Sequence, residues 1–170
     1  MPKTVPLVIT VSDWGEAKYV GAVSNYSYTG MRVPEIAIEY QLRKFITNRF
    51  SLPYDRSVLR NNLKDCYASL TRESATKLSA ELRMNNPLNE AGKKSVTVDV
   101  ESVLKLSAQS YQVDFIVLTS DTSGYVNIRQ RMRGVLAVKL MEPAEEDQVL
   151  NPLGIYITNF DFTQVKEAQQ

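Results

Sequence analysis

The chain has no histidine and one cysteine, Cys66, among its 170 residues. Without imidazole it lacks the usual proton shuttle near neutral pH and the commonest ligand of zinc. Ser-His and Cys-His nucleophile pairs are excluded on the same ground. One cysteine cannot close an internal disulfide, so the core must hold by packing, which leaves the redox compartment open. Also missing is any apolar run approaching the roughly 20 residues of a membrane helix. Met1-Pro2-Lys3-Thr4 leads straight into an alternating segment with no signal-peptide pattern. Nor is there an excess of one charge: 20 Lys plus Arg face 19 Asp plus Glu. Nucleic acid or an anionic membrane would therefore need a local patch to bind. GxGxxG, P-loop, CxxC and nucleophile-elbow patterns are all lacking.

What is present suits one soluble domain: 44% hydrophobic and 23% charged residues in 19.2 kDa, enough to bury a core. Val5 to Val23 reads as strand, with Val5, Leu7, Ile9 and Val11 alternating before Trp14-Gly15 makes a bulge or turn. Ser24 to Val33 is polar and reads as a loop. Pro34 opens a helix carrying Ile38, Leu42, Phe45 and Ile46 at helical spacing. Ser51-Leu52-Pro53 ends it. Asp55 caps a second helix with Leu59, Leu63, Cys66 and Tyr67, and Thr71 caps a third with Ala75, Leu78 and Leu82.

After Gly92 the hydrophobic period drops from 3.6 to 2. Val96, Val98, Val100, Leu104 and Leu106 share one parity; Tyr111, Val113, Phe115 and Val117 form the next run, after a turn at Ser107 to Ser110. Asp121 to Gly124 turns into a long strand, Tyr125 to Met141, and a last strand spans Ile155 to Phe162 with Tyr156, Phe160 and Phe162 on one face. Short connections make neighbouring strands antiparallel. The expected fold is α+β: a curved antiparallel sheet of four or five strands packed on two or three N-terminal helices.

Three constellations could carry function. Arg129, Arg131 and Arg133 fall on one sheet face by period-2 spacing. They read either as a recognition face for carboxylate or phosphate, or as a solvated row paired with Asp99 and Glu101. Asn151-Pro152-Leu153-Gly154 is a turn in which asparagine caps its own backbone, proline fixes φ and glycine allows positive φ. It is a hairpin corner or a rigid surface elbow for a partner. The carboxylates Asp13, Asp114, Asp121, Glu145, Glu146 and Asp147 fit no calcium loop; Asp114 is expected exposed and the last three a solvated turn. Cys66 reads as a buried small hydrophobe. No catalytic residue, metal ligand or cofactor site is assigned. The tyrosines Tyr19, Tyr26, Tyr28, Tyr111, Tyr125 and Tyr156 suit an interface and a core edge equally.

The stretch from Asn151 to Phe160, an NPxG turn feeding an alternating strand, resembles the C-terminal signature of the TrbF family of conjugal-transfer proteins, equivalent to the eighth VirB component of type IV secretion systems. Asn86-Pro87, Val96 to Leu104, Ser110 to Phe115 and Val5 to Val11 are similar to the same family, although Tyr111 and Phe115 stand where tryptophan is expected. The resemblance implies the cone fold of the nuclear-transport-factor type. It implies one periplasmic domain, residues 1–170, carried behind a cytoplasmic tail and a membrane helix that precede the first strand and are not in this chain. It implies a non-enzymatic scaffold that contacts inner-membrane and core-complex secretion proteins and forms weak homodimers. Asn151, Pro152, Leu153 and Gly154 are the interaction motif it carries over. A small-molecule-binding or isomerase-like cone domain is the alternative. A nucleic-acid module would need the arginine face to widen into a basic groove, which the neutral charge argues against.

Overall fold

Proline, hydrophobic spacing and two side-chain caps set the helical half. The computed structural model describes residues 7–22 and 33–166. Pro34 is the N-cap of α1, Glu35–Phe50, where its missing N–H deprives no acceptor. Ala37, Ile38, Leu42, Phe45 and Ile46 form the buried stripe of α1. Asp55 caps α2, Arg56–Ala68, by accepting from the Ser57 N–H at 2.7 Å. Thr71 caps α3, Arg72–Met84, by accepting from the Ser74 N–H at 3.5 Å.

Four strands follow: β3 Ser95–Lys105, β4 Ser110–Ser120, β5 Val126–Leu140 and β6 Ile155–Gln164. They form an antiparallel meander in the order β3-β4-β5-β6. One face lies on α1, and Tyr111, Val113, Phe115, Leu136, Ile157 and Phe160 interlock there with the α1 stripe. Phe50, Phe115 and Phe162 stack at its edge with centroids 5.0 and 4.8 Å from Phe50. This is the expected α+β arrangement, with four strands in the main sheet.

Three details depart from simple alternation. Residues 7–22 do not join the main sheet: Leu7–Val11 and Ala17–Ala22 form a separate antiparallel hairpin, β1 and β2. Gly15, at φ +96°, reverses the chain, and an added Cβ would stand 2.2 Å from the Ile36 carbonyl oxygen. Only glycine fits that approach. In β3 the ladder slips between Val100 and Ser102, so Glu101 is an extra residue and the parity flips. Val103 then packs against the core while Leu104 and Leu106, expected on the Val96 face, are exposed. In β6 a slip between Asn159 and Ile157 makes Thr158 the extra residue. Tyr156 therefore leaves the face of Phe160 and Phe162. Residues 24–32 of the expected loop lie outside the described residues.

Both outer edges of the meander carry guards. Leu52 and Val96 exchange main-chain hydrogen bonds of 2.9 and 3.0 Å, and the Arg43 guanidinium donates to the Val100 carbonyl at 3.2 Å. On β6, the Ile157 N–H donates to Ser69 O at 2.8 Å. Lys77 Nζ donates to the Phe160 carbonyl and to Asp161 Oδ1, and the Asn159 side chain accepts the Phe160 N–H at 2.9 Å. Such blocking suppresses edge-to-edge pairing with other chains.

Leu42, with no exposed surface, tests the core: Leu42→Ala is expected to cost about 2–5 kcal/mol in urea denaturation, by lost burial plus a residual cavity. A cost under about 1 kcal/mol would contradict the packing described.

Candidate functional site

The elbow at 151–154 is built around one buried amide. The Asn151 side chain, 1% exposed, uses both of its N–H donors: Nδ2 donates to Ala68 O at 3.1 Å and to Ile155 O at 3.0 Å. Its Oδ1 accepts the Ile155 N–H at 3.1 Å. A side-chain amide supplies two donors and an acceptor in this geometry, and a carboxylate could not donate. Around it, Asn151 N–H donates to Asp147 O at 2.7 Å, Gly154 N–H to Asn151 O at 3.1 Å, and Met141 N–H to Gly154 O at 3.0 Å. Gly154 takes φ +64°, which lets the chain turn into β6.

The amide thus ties the end of α2 to the start of β6. The tie continues two residues later, where Ile157 O accepts from Thr71 N–H at 3.3 Å and from the Ser74 hydroxyl at 2.6 Å. On the other face Tyr156 donates to Asp147 Oδ2 at 2.9 Å and accepts the Ala144 N–H at 3.1 Å. Burial pushes the Tyr156 phenol up to about 12, and burial also raises Asp147 above the ordinary carboxylate value, against the pull of the Tyr156 hydroxyl. Asp147 is therefore half-buried and hydrogen-bonded, where the sequence suggested a wholly solvated turn.

Asn151, Pro152, Leu153 and Gly154 are all buried, so the expected surface elbow faces inward. The tip of the β1–β2 hairpin lies across a small cleft from it. Gly15, Ala17, Ala37, Tyr40, Asn151 and Pro152 are among the residues lining a cleft of about 40 Å³ between hairpin, α1 and elbow.

The three arginines do share the sheet face opposite the helices. Arg133 grips Asp114 side-on, Nε to Oδ1 at 2.7 Å and Nη2 to Oδ2 at 3.2 Å. That guanidinium holds Asp114 below the usual carboxylate range, against a smaller opposing effect of burial. Arg131 Nη2 donates to both Glu101 oxygens at 2.9 and 2.8 Å. Arg129 lies opposite Leu118 in the ladder and is not free either. Of the two expected partners Glu101 is used, brought into reach by the β3 bulge, while Asp99 lies opposite Ile116. Asp114, expected exposed, keeps 23% of its side-chain surface and is paired.

Elsewhere the chemistry is quiet. Burial pushes the Cys66 thiol up to about 12, so it stays protonated at neutral pH. Tyr111 is 1% exposed and donates to Glu35 Oε1 at 2.5 Å. Burial raises the Tyr111 phenol, and its hydrogen bond lowers Glu35. Glu35 also pairs with Lys105 at 3.1 Å. Asp13 sits exposed at the hairpin turn. Among the described residues no group of three or more His, Cys, Asp or Glu could hold a metal ion. Sequence spacing did not single out Glu35, Ser74 or Lys77; their partners lie 76 to 84 residues away, and no local pattern marks them.

With this geometry in place, comparison with known proteins is informative. The family model described as VirB8 protein matches residues 2–165. A conjugal transfer protein TrbF of Rhizobium radiobacter is 32% identical over 164 residues, covering 95% of this chain and 73% of the relative. Among solved structures, a TrwG component of a type IV secretion system from Bartonella birtlesii superposes with TM-score 0.70 at 19% identity, covering 82% of this chain and 98% of that one. The VirB8 protein of Agrobacterium tumefaciens gives TM-score 0.69 at 11% identity, covering 82% and 100% respectively.

Two measurements test the site. Asn151→Ala strands a buried donor and carbonyls, and is expected to lower stability by at least about 2 kcal/mol. Asn151→Asp should be worse near neutral pH, because its carboxylate would face two carbonyl oxygens. The folded-state pKa of that carboxylate would be raised, so its penalty should shrink as pH falls toward about 4 and grow as pH rises. For Asp114 the sign is opposite. Its folded pKa is lowered, so its contribution is present above the unfolded value of about 3.9 and is lost as pH falls through the folded value. Asp114→Asn should flatten that part of the acid-unfolding curve; an unchanged curve would show the ion pair to be inert.

Proposed function

The chain belongs to the VirB8 protein family, whose members serve type IV secretion, and on that premise we propose that it is a scaffold component of a conjugation channel. It acts through protein–protein contacts on the periplasmic side of the bacterial inner membrane, without catalysis and without a cofactor. The other inner-membrane and core-complex secretion proteins are its partners, together with a second copy of itself. Among the described residues no helix is long and apolar enough to cross a membrane, so in this reading attachment to the membrane comes through a segment outside them.

The observation that carries the proposal is where the polar chemistry is. A ligand-binding cone needs an open apolar interior with a few convergent polar groups. Here Tyr111, Phe45, Phe115, Phe160, Leu42 and Leu136 fill the space between helix and sheet. The hydroxyl of the buried Tyr111 is spent on Glu35 at the rim. Buried polar groups at 151–157 brace the fold, and the sheet edges are guarded against indiscriminate pairing. These are features of a stiff body with surfaces to offer.

The arginine row fits a secondary contact in this reading. A partner carboxylate would have to replace Glu101 or Asp114, so specificity would come from geometry and not from net charge.

Sedimentation of the purified domain over a wide concentration range should show reversible self-association, and immobilised domain should retain other secretion components. A strict monomer at high concentration that captures none of them would refute the scaffold reading.

A further inference from the structure

The solvent face of the meander is polar at one end and bare at the other. The ladder sets its cross-strand rows. Asp99, Ile116 and Arg131 share one row, and Ser102, Asp114 and Arg133 the next. Leu104, Gln112 and Val135 follow. Beyond them Leu106 N–H donates to Ser110 O at 2.9 Å, and Ser110 lies opposite Ala137. Along the charged rows the apolar side chain is covered: Ile116 is 5% exposed. Past Arg133 the cover stops, and Leu104, Leu106 and Val135 are 55%, 50% and 42% exposed. One exposed aliphatic is ordinary, but three in adjacent rows of one face form a patch. The β3 bulge creates it, because the extra residue Glu101 turns Leu104 and Leu106 from the helix side to this face.

The rows are self-complementary about β4, which has β3 on one side and β5 on the other. Laying a second copy face to face on the first, with a two-fold axis parallel to β4, puts β3 of each over β5 of the other, row on row. Leu104 then meets the partner's Val135, and Leu106 the partner's Ala137. Asp99, exposed and without an ion pair among the described residues, meets the partner's Arg131. Gln112 meets its own copy across the axis. Asp114 does so too, neutralised in each copy by Arg133. A two-fold contact needs this reciprocity, in which one residue meets a second and the second meets the first. The charges set register more than affinity, since Arg131 already holds Glu101. Three strands ~4.8 Å apart and the 11 residues of β3 at ~3.4 Å each present roughly 500 Å² of face per copy. That suits a weak, reversible complex, below ~1,200 Å² in total.

We propose that the solvent face of β3, β4 and β5 is where two copies of this chain associate, with Leu104, Leu106 and Val135 as its apolar centre. This rests on the reading that the domain self-associates, and adds which face does so and in what register.

The test is sedimentation of the whole chain and of variants at exposed positions, which leave the core intact. Leu104→Glu sets a carboxylate against the partner's Val135, and is expected to weaken association on the order of tenfold, the scale of one lost leucine contact. Asp99→Arg sets like charge against the partner's Arg131 and should weaken it as well. Val58→Glu, on α2 and 44% exposed, should change nothing. Gln112→Cys reads the register: a bismaleimide with an arm near the ~10 Å between stacked sheets should join two copies through it. The native Cys66 is 1% exposed and stays protonated at neutral pH, so it does not compete. A cooperative thermal transition shows that each variant is folded.

The result expected is weaker association in Leu104→Glu and Asp99→Arg, none of it in Val58→Glu, and a cross-link through Gln112→Cys. Association that ignores both variants, with no cross-link, overturns this face and leaves self-association standing. If Leu104→Glu loses capture of another secretion protein while self-association is unchanged, a second copy is overturned as the occupant. An unaltered chain that stays monomeric at high concentration overturns the self-association reading, and this face with it.

Discussion

One buried amide joins the two halves of this domain. Asn151 bonds the last turn of α2 through Ala68 and the first residue of β6 through Ile155, 83 and 4 residues away. Where β6 starts depends on it, and with β6 the placement of Ile157 and Phe160 in the core and the pairing of β5. A buried amide with both donors and its oxygen engaged specifies one arrangement, because any shift leaves a donor or carbonyl stranded out of water. The Ser69, Thr71 and Ser74 contacts to Ile157 repeat the same link in the next residues.

From that link follows the division of labour in the molecule. Among the described residues, large side chains such as Tyr111, Phe45, Phe115 and Phe160 fill the helix-facing side of the sheet. The opposite face is a row of guanidiniums largely answered by carboxylates. The edges are stopped by Leu52, Arg43, Lys77 and Asn159. The packed core and the guarded rims belong to a member of the VirB8 protein family, one of whose relatives is a conjugal transfer protein.

The hairpin at 7–22 stands apart from this scheme. It belongs to no layer of the body, yet its tip is fitted to α1 with no clearance at Gly15. The elbow, which the sequence offered as a hairpin corner or a surface for a partner, is in the structure a buried brace of the fold.

The sequence by itself determined the elements. Pro34, Asp55 and Thr71 start the three helices because capping and proline geometry are local. The change of period after Gly92 announced the meander because alternation is a property of neighbouring residues. It marked Asn151-Pro152-Leu153-Gly154 as a turn, since dihedral preferences are local too. Only the tertiary structure decided what that turn faces, because burial depends on segments far off in the chain: α2 and the β1–β2 hairpin. The same holds where alternation misled. Leu104 and Tyr156 changed faces because Glu101 and Thr158 are extra residues against their partner strands, and a bulge exists only relative to the strand it is paired with.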